Sequence, residues 1–188
     1  MNKLNFGCGT VIKKGYINVD IQKGKGIEKS FDFNKFPYPF EDNTFDYILA
    51  DNVIEHLKYT KNTMLELHRI SNNNATIEIK VPHQTSVWSY ADMSHRHYFN
   101  EKSILDLFSD RSYIINKKLL FSNISMKLKP AVPFKYVPKI ILKVLSRYLL
   151  NIYCQIEIKS QVIKSEIVTD SRGEQWKKHI QKKKLKRW

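Results

Sequence analysis

Acidic residues and glycines recur along the first third of the chain, each beside a short run of β-favouring residues. Gly7-Cys8-Gly9 follows Lys3–Phe6, and Asp20 with Ile21 closes Tyr16–Ile21. Asp32-Phe33 closes Ile27–Phe33, and Asp51-Asn52 follow Phe45–Ala50, with Glu55-His56 close behind. Each residue type suits one part of a nucleoside. Glycines let the backbone approach a ligand with no Cβ in the way. A carboxylate ending a second strand can accept from both ribose hydroxyls. Asp32 can accept from an adenine amino group while Phe33 packs against the ring. A pyrophosphate does not fit the pattern. The third glycine of G-x-G-x-x-G is missing, Ile12 standing in its place, and only ten residues separate Gly9 from Asp20. That is too short for a phosphate-facing helix plus a strand.

These positions work together only if the strands lie side by side. The pattern predicts strands at 3–6, 16–21, 27–33, 45–50 and 76–81, and a helix at Thr60–Ile70 with Thr60 as cap and Met64, Leu65, Leu67 and Ile70 inward. "SNNN" should stop that helix. Asn100 should cap another carrying Ile104, Leu105, Leu107 and Phe108. Residues 83–99 form a loop too long for a mere connector. Beyond it the pattern predicts a strand at 113–127 and an amphipathic helix over 138–153 opened by Pro138. The apolar stripe of that helix falls at 140, 141, 144, 145, 148, 149 and 152. A last strand at 155–167 should pair as a hairpin with the strand before it. The alternation implies an α/β fold: a Rossmann-like, mostly parallel sheet with helices on both faces and antiparallel strands near the C-terminal end. Ligands of such sheets lie beyond the carboxyl ends of the strands. Residues 1–169 read as one domain and 170–188 as a basic tail.

Charge divides the chain. Residues 1–116 hold 14 basic and 14 acidic residues, and residues 117–188 hold 18 basic and 4 acidic, the whole of the net +14. A neutral half suits a catalytic core, and a basic half suits something anionic. No apolar run approaches the ~18 residues of a membrane span. Two cysteines, Cys8 and Cys154, make no disulfide framework, and a reducing cytoplasm is expected.

"LNFGCGTVIKKGYINVDI", "YPFEDNTFDYILADNVIEHL", "IKVPH" and "MSHRHYFNEKSILDLF" together resemble the class I S-adenosylmethionine-dependent methyltransferases of the methyltransferase type 11 group, and within it a compact subgroup often found in polysaccharide and cell-surface gene clusters. The resemblance covers about residues 3–110. It implies that Gly7, Cys8 and Gly9 face the methionine part of S-adenosylmethionine. By the same resemblance Asp20 and Ile21 sit at the ribose, and Asp32 and Phe33 at the adenine. Asp51 and Asn52 would stand beside the sulfonium, with Glu55 and His56 shaping that wall. Two departures stand out: Asn5 replaces the family's common acidic residue, and the chain starts at the strand, without the helix that usually precedes it. The implied reaction is methyl transfer to an oxygen or nitrogen of a glycan or small molecule. An RNA acceptor and a non-catalytic cofactor-binding subunit are the alternatives.

Methyl transfer from a sulfonium needs alignment and exclusion of water, and a hydroxyl or amine acceptor gains from a general base. His95, in the family-like "SHRHYF" loop, is the candidate base, against the plainer reading that it caps or bonds within its loop. His83, Asp92, His95 and His97 form the weighed metal set, but no Cys cluster or i, i+4 His pair supports it, so no metal is expected. His68 reads as a satisfied surface residue, and Cys8 as a small residue fitting the turn. The end "KKHIQKKKLKRW", with Trp176 and Trp188 near and at the terminus, suits a solvated tail, RNA binding, or an anionic membrane surface. A partner subunit is a further expectation.

Overall fold

The structure, a computed structural model, describes residues 1–109, 120–146 and 148–164. The predicted tail from residue 170, the part of the expected 113–127 strand before residue 120 and the last residues of the expected 155–167 strand lie outside them. Strands β1 (Lys3–Phe6), β2 (Ile17–Asp20), β3 (Lys29–Ser30) and β4 (Phe45–Asp51) come first, then helix α1 (Thr60–Ile70) and strand β5 (Ser71–Pro82). Helices α2 (Val87–Ala91) and α3 (Glu101–Ser109), strand β6 (Phe121–Pro130), helix α4 (Lys139–Leu145) and strand β7 (Tyr153–Val162) complete the order. The strands form one seven-stranded sheet in the order β3-β2-β1-β4-β5-β7-β6. The first five pair in parallel, and β7 and β6 join antiparallel, β6–β7 as the expected C-terminal hairpin pairing. No helix of the described residues is long and apolar enough to cross a membrane.

Strand alternation separates two faces. Leu4, Phe6, Val19, Ile48, Ala50, Ile77, Ile79, Ile156 and Ile158 share a core with Met64, Leu67 and Ile70 of α1 and Ile104, Leu107 and Phe108 of α3. The alternate positions are mostly polar, the buried Leu49 aside. Tyr47 donates to the Glu78 carboxylate, Lys159 meets Glu78 at 2.7 Å, and Lys80 meets Asp51 at 3.1 Å. Asn5 and Asn18 also lie on that side and are buried. Asn5 Nδ2 donates to Val11 O and Asn18 Oδ1, both at 2.9 Å. Asn18 in turn holds both backbone groups of Lys13 and the Tyr16 carbonyl. This amide pair pins the β1–β2 connector, which has no helix of its own, across the sheet.

Several expected boundaries move. β3 is two residues long, because Ile27–Phe33 lies at the sheet edge with β2 alone to pair with. Thr60 is the first residue of α1; Tyr59 occupies the cap and offers no side-chain bond. "SNNN" stops α1 as expected but joins β5. Asn100 does cap α3, its Oδ1 accepting from the Lys102 and Ser103 N–H groups. The helix expected over 138–153 ends at Leu145. Its anchor is Leu142, packed with Ile152 and Tyr153, while Ile140, Ile141 and Val144 of the predicted stripe face solvent.

Candidate active site

The parallel strands deliver their residues to one edge. At the end of β1, Gly7 has φ +69°, and a Cβ there would lie 2.3 Å from Val53 Cγ2. Gly9 has φ +50° and nothing within 4 Å of its would-be Cβ. So Gly7 is glycine because protein packs against it, and Gly9 leaves an open approach. Asp20 ties the turn to β2: its Oδ2 accepts from the Gly9 N–H at 2.7 Å and its Oδ1 from the Gln22 N–H at 3.1 Å. Each carboxylate oxygen keeps a further lone pair for a ligand hydroxyl. Ile21 beside it is 58% exposed. Cys8 is buried, and burial, with the Asp20 charge second, raises its thiol pKa. It fits the turn and is no thiolate nucleophile.

Asp32 accepts from the Asn34 N–H at 2.9 Å and stays partly open. Phe33 differs from expectation. It is 5% exposed, its ring stacks on Phe6 at 4.1 Å, and Phe31 and Tyr38 close around it. The ring is core, because the two-residue β3 turns it under the sheet edge, and it presents no face to an adenine. Asp51 points to the polar face and pairs with Lys80. Asn52, at φ +53°, follows β4.

Beside this turn opens a cavity of about 710 Å³ lined by Asn52, Glu55, His56, Trp88, His95 and Gln155, among others. Val53, which closes over Gly7, is chain neighbour to Asn52, so one short segment serves both the glycine turn and the cavity. The loop of residues 92–99 is stitched to that segment. The Glu55 carbonyl accepts from the Arg96 and His97 N–H groups at 2.8 and 3.1 Å, and His97 Nε2 meets Leu57 O at 2.8 Å. His95 Nδ1 lies 2.8 Å from Ser89 O, and His56 Nδ1 lies 2.8 Å from Ser94 Oγ. The His56 and His95 rings stand 4.7 Å apart.

The Glu55 side chain is the electrostatic outlier. The residue is 1% exposed and neither carboxylate oxygen has a hydrogen-bond partner. Burial, with Asp51 and Asp92 adding, pushes its carboxyl up to about 7. Burial and the neighbouring His95 hold His56 below the ordinary imidazole value. Hydrogen bonds from Ser94 hold Asp92 below the usual carboxylate range.

The metal set weighed from sequence is not assembled. His83 is buried, its Nδ1 on Thr85 and its Nε2 on Glu101, and His97 is held by Leu57 O. Glu55, His56 and His95 come together instead. His68 is half-buried, its Nε2 2.9 Å from Ile163 O. Sequence reasoning missed Trp88, Cys154 and Gln155 in the lining, and the orienting roles of Ser89, Asp92 and Ser94. No local signal marks Cys154 and Gln155, which arrive only because β7 pairs with β5.

Residues 4–79 match the family model of the methyltransferase domain. An uncharacterized protein of Methanocaldococcus jannaschii is 30% identical over 128 residues, 68% of this chain and 54% of that relative. The chain thus spans about half the length of that relative. Among solved structures, a SAM-dependent methyltransferase from Archaeoglobus fulgidus aligns over 85% of both chains with a TM-score of 0.65 and 16% identity. A Haloferax volcanii methyltransferase complexed with the Trm112 methyltransferase activator aligns over 88% of this chain and 83% of that one, with a TM-score of 0.56 and 13% identity. The Haemonchus contortus phosphoethanolamine N-methyltransferase 2, solved with S-adenosylhomocysteine, aligns over 88% and 49%, with a TM-score of 0.57 and 15% identity.

Proposed function

We propose that this chain, which carries the methyltransferase domain in the class I S-adenosylmethionine-dependent fold, transfers a methyl group from S-adenosylmethionine to an oxygen or nitrogen of a glycan or small-molecule acceptor. One observation carries the reading: the open Gly9 turn is clamped to the Asp20 carboxylate at the ends of adjacent parallel strands. That joins a backbone a ligand can touch to an acid suited to a ribose diol. In this reading Gly7, Cys8 and Gly9 line the methionine part, Asp20 and Ile21 the ribose, and Asp32 the adenine. Asn52 faces the sulfonium, and the cavity beside it takes the acceptor. The Phe33 ring is buried and takes no part in the adenine contact.

The protein's work in such a reaction is alignment, because the cofactor brings the reactive carbon. His95 is the residue we place against the acceptor atom. A carbonyl only accepts, so the Ser89 contact puts the ring proton on Nδ1 and leaves the Nε2 lone pair to take the acceptor's proton. The basic half of the chain serves an anionic partner, RNA or an anionic membrane surface, and the free cysteines suit a reducing cytoplasm. A partner subunit is a further element, by analogy with the Haloferax complex.

Calorimetry with S-adenosylmethionine and S-adenosylhomocysteine tests the reading. Both should bind in the micromolar range, and Asp20→Asn should cut affinity at least tenfold while urea unfolding shows the variant folded. A folded wild-type chain that binds neither compound would refute it. An RNA acceptor would instead show as salt-steep RNA retention lost on deleting residues 174–188.

A further inference from the structure

At the cavity proposed for the acceptor, two imidazoles and one buried carboxyl converge. One metal-ligating atom from each of Glu55, His56 and His95 lies within 4.8 Å of the others. Glu55 contributes a buried carboxylate whose two oxygens have no partner. The hydrogen bonds around the imidazoles locate their protons. The Asp92 carboxylate can only accept, so its 2.6 Å contact uses the one hydrogen of the Ser94 hydroxyl. Ser94 Oγ must then accept from His56, which puts that ring's proton on Nδ1. The Ser89 carbonyl does the same for His95. Both rings are left with a lone pair on Nε2, and each Nδ1–H is held by an outer oxygen. That is how metal-bound histidines are oriented: the second nitrogen donates to a carbonyl or to a carboxylate-linked group.

We propose that Glu55, His56 and His95 bind one divalent transition-metal cation. Two imidazoles and one carboxylate suit manganese, iron, cobalt or zinc and leave coordination positions open toward the cavity. The ion supplies the positive charge that the buried carboxylate lacks. Its role rests on the acceptor-site reading above: at an open position it would hold and polarise an acceptor oxygen. His95 then serves as a ligand, and the proton-accepting role given to it belongs to the ion-free enzyme. Its binding does not depend on that reading.

The full chain, stripped with EDTA and dialysed, would be titrated with Mn²⁺ followed by electron paramagnetic resonance, and with Zn²⁺ and Co²⁺ by calorimetry. One ion per chain is expected at micromolar affinity, with Co²⁺ giving visible bands of nitrogen–oxygen coordination. Glu55→Gln and His95→Asn should each weaken binding at least tenfold. His68→Gln, remote from the cluster, should leave binding unchanged. Absence of saturable binding, or affinity unmoved in both folded ligand variants, would overturn the proposal and mean that the trio holds only a proton. S-adenosylmethionine calorimetry on the same stripped chain keeps the two readings apart. If S-adenosylmethionine binds and none of the three metal ions does, the cation is sunk and the methyl-transfer reading stands; if an ion binds and the cofactor does not, the methyl-transfer reading is sunk and the cation stands.

Discussion

Gly7 and Gly9 look alike in sequence, share a left-handed backbone, and should fail in opposite ways when alanine replaces them. At either position an L-residue at positive φ costs about 1–2 kcal/mol. Gly9→Ala adds nothing more, since its Cβ would meet no atom within 4 Å. Gly7→Ala places a methyl 2.3 Å from Val53 Cγ2 and 2.8 Å from Cγ1. Val53 is β-branched, so it cannot swing clear cheaply, and overpacking adds about 1–3 kcal/mol. The stability losses are therefore about 2–5 kcal/mol for Gly7→Ala and about 1–2 for Gly9→Ala. At roughly 2–4 °C per kcal/mol for a chain of this size, the Gly7 variant should melt about 4–20 °C lower. Cofactor binding reverses the order, because the Gly9 methyl projects into the space assigned to S-adenosylmethionine. Urea unfolding read by circular dichroism, with calorimetry on the folded fraction, measures both. The double variant Gly7→Ala/Val53→Ala supplies the coupling: relief of the clash should make it more stable than the sum of the singles by about 1–3 kcal/mol. Equal stability losses at the two glycines, or singles that simply add, would refute the packing argument.

Arg69 ties α1 to the loop before β4, donating to Glu66, to Asp42, and to the Tyr38 and Phe40 carbonyls. Arg69→Met should cost about 2–4 kcal/mol, toward the low end because Asp42 is largely exposed. Burial alone would raise the Glu66 carboxyl, but hydrogen bonds from Arg69 and the Tyr38 N–H hold it below its ordinary 4.5. The folded state thus binds that proton more weakly than the unfolded state. The stabilisation is present above pH 4.5 and lost as pH falls through the lower folded value. Wild-type and Arg69→Met stability curves should converge on the acid side, and a gap that widens there would contradict this account. Asn5→Asp, although it introduces the acid common in the methyltransferases that the chain resembles, should destabilise the chain by about 2–4 kcal/mol in chemical denaturation. Val11 O and Asn18 Oδ1 both need a donor, and the Lys13 N–H fixes the Asn18 amide in that orientation. A neutral or stabilising effect would show that the amide pair does not hold the connector.

The glycine turn and the acid clamped to it, which we propose as the donor side, were legible in sequence because they are local. β1, β2 and α1 sit within a residue of where periodicity places them, and the Gly9–Asp20 clamp joins residues eleven apart. Spacing also foretold a β1–β2 connector too short for a helix. The readings that failed needed tertiary information. Phe33 has the right neighbour for an adenine contact, yet the edge position of β3 turns its ring inward onto Phe6. The stripe from 140 to 152 has helical period, yet the chain turns at Ser146 and docks through Leu142, a position outside that stripe. Periodicity states which residues can share a face, and it does not say which face finds a partner.

The two halves of the proposed site are held by different physics, which bears on how an acceptor would be chosen. On the side proposed for the donor the contacts are backbone, carboxylate and a glycine packed under Val53. On the side proposed for the acceptor, the Ser89 carbonyl holds His95, and the Ser94 hydroxyl, itself bonded to Asp92, holds His56. The loop of residues 92–99 reaches the sheet through the Glu55 carbonyl and His97. Loops tolerate substitution better than strand ends. A change of acceptor is therefore expected in residues 84–99 with the donor turn intact. The buried Glu55 beneath them is the constraint such changes must respect, since neither of its carboxyl oxygens has a hydrogen-bond partner.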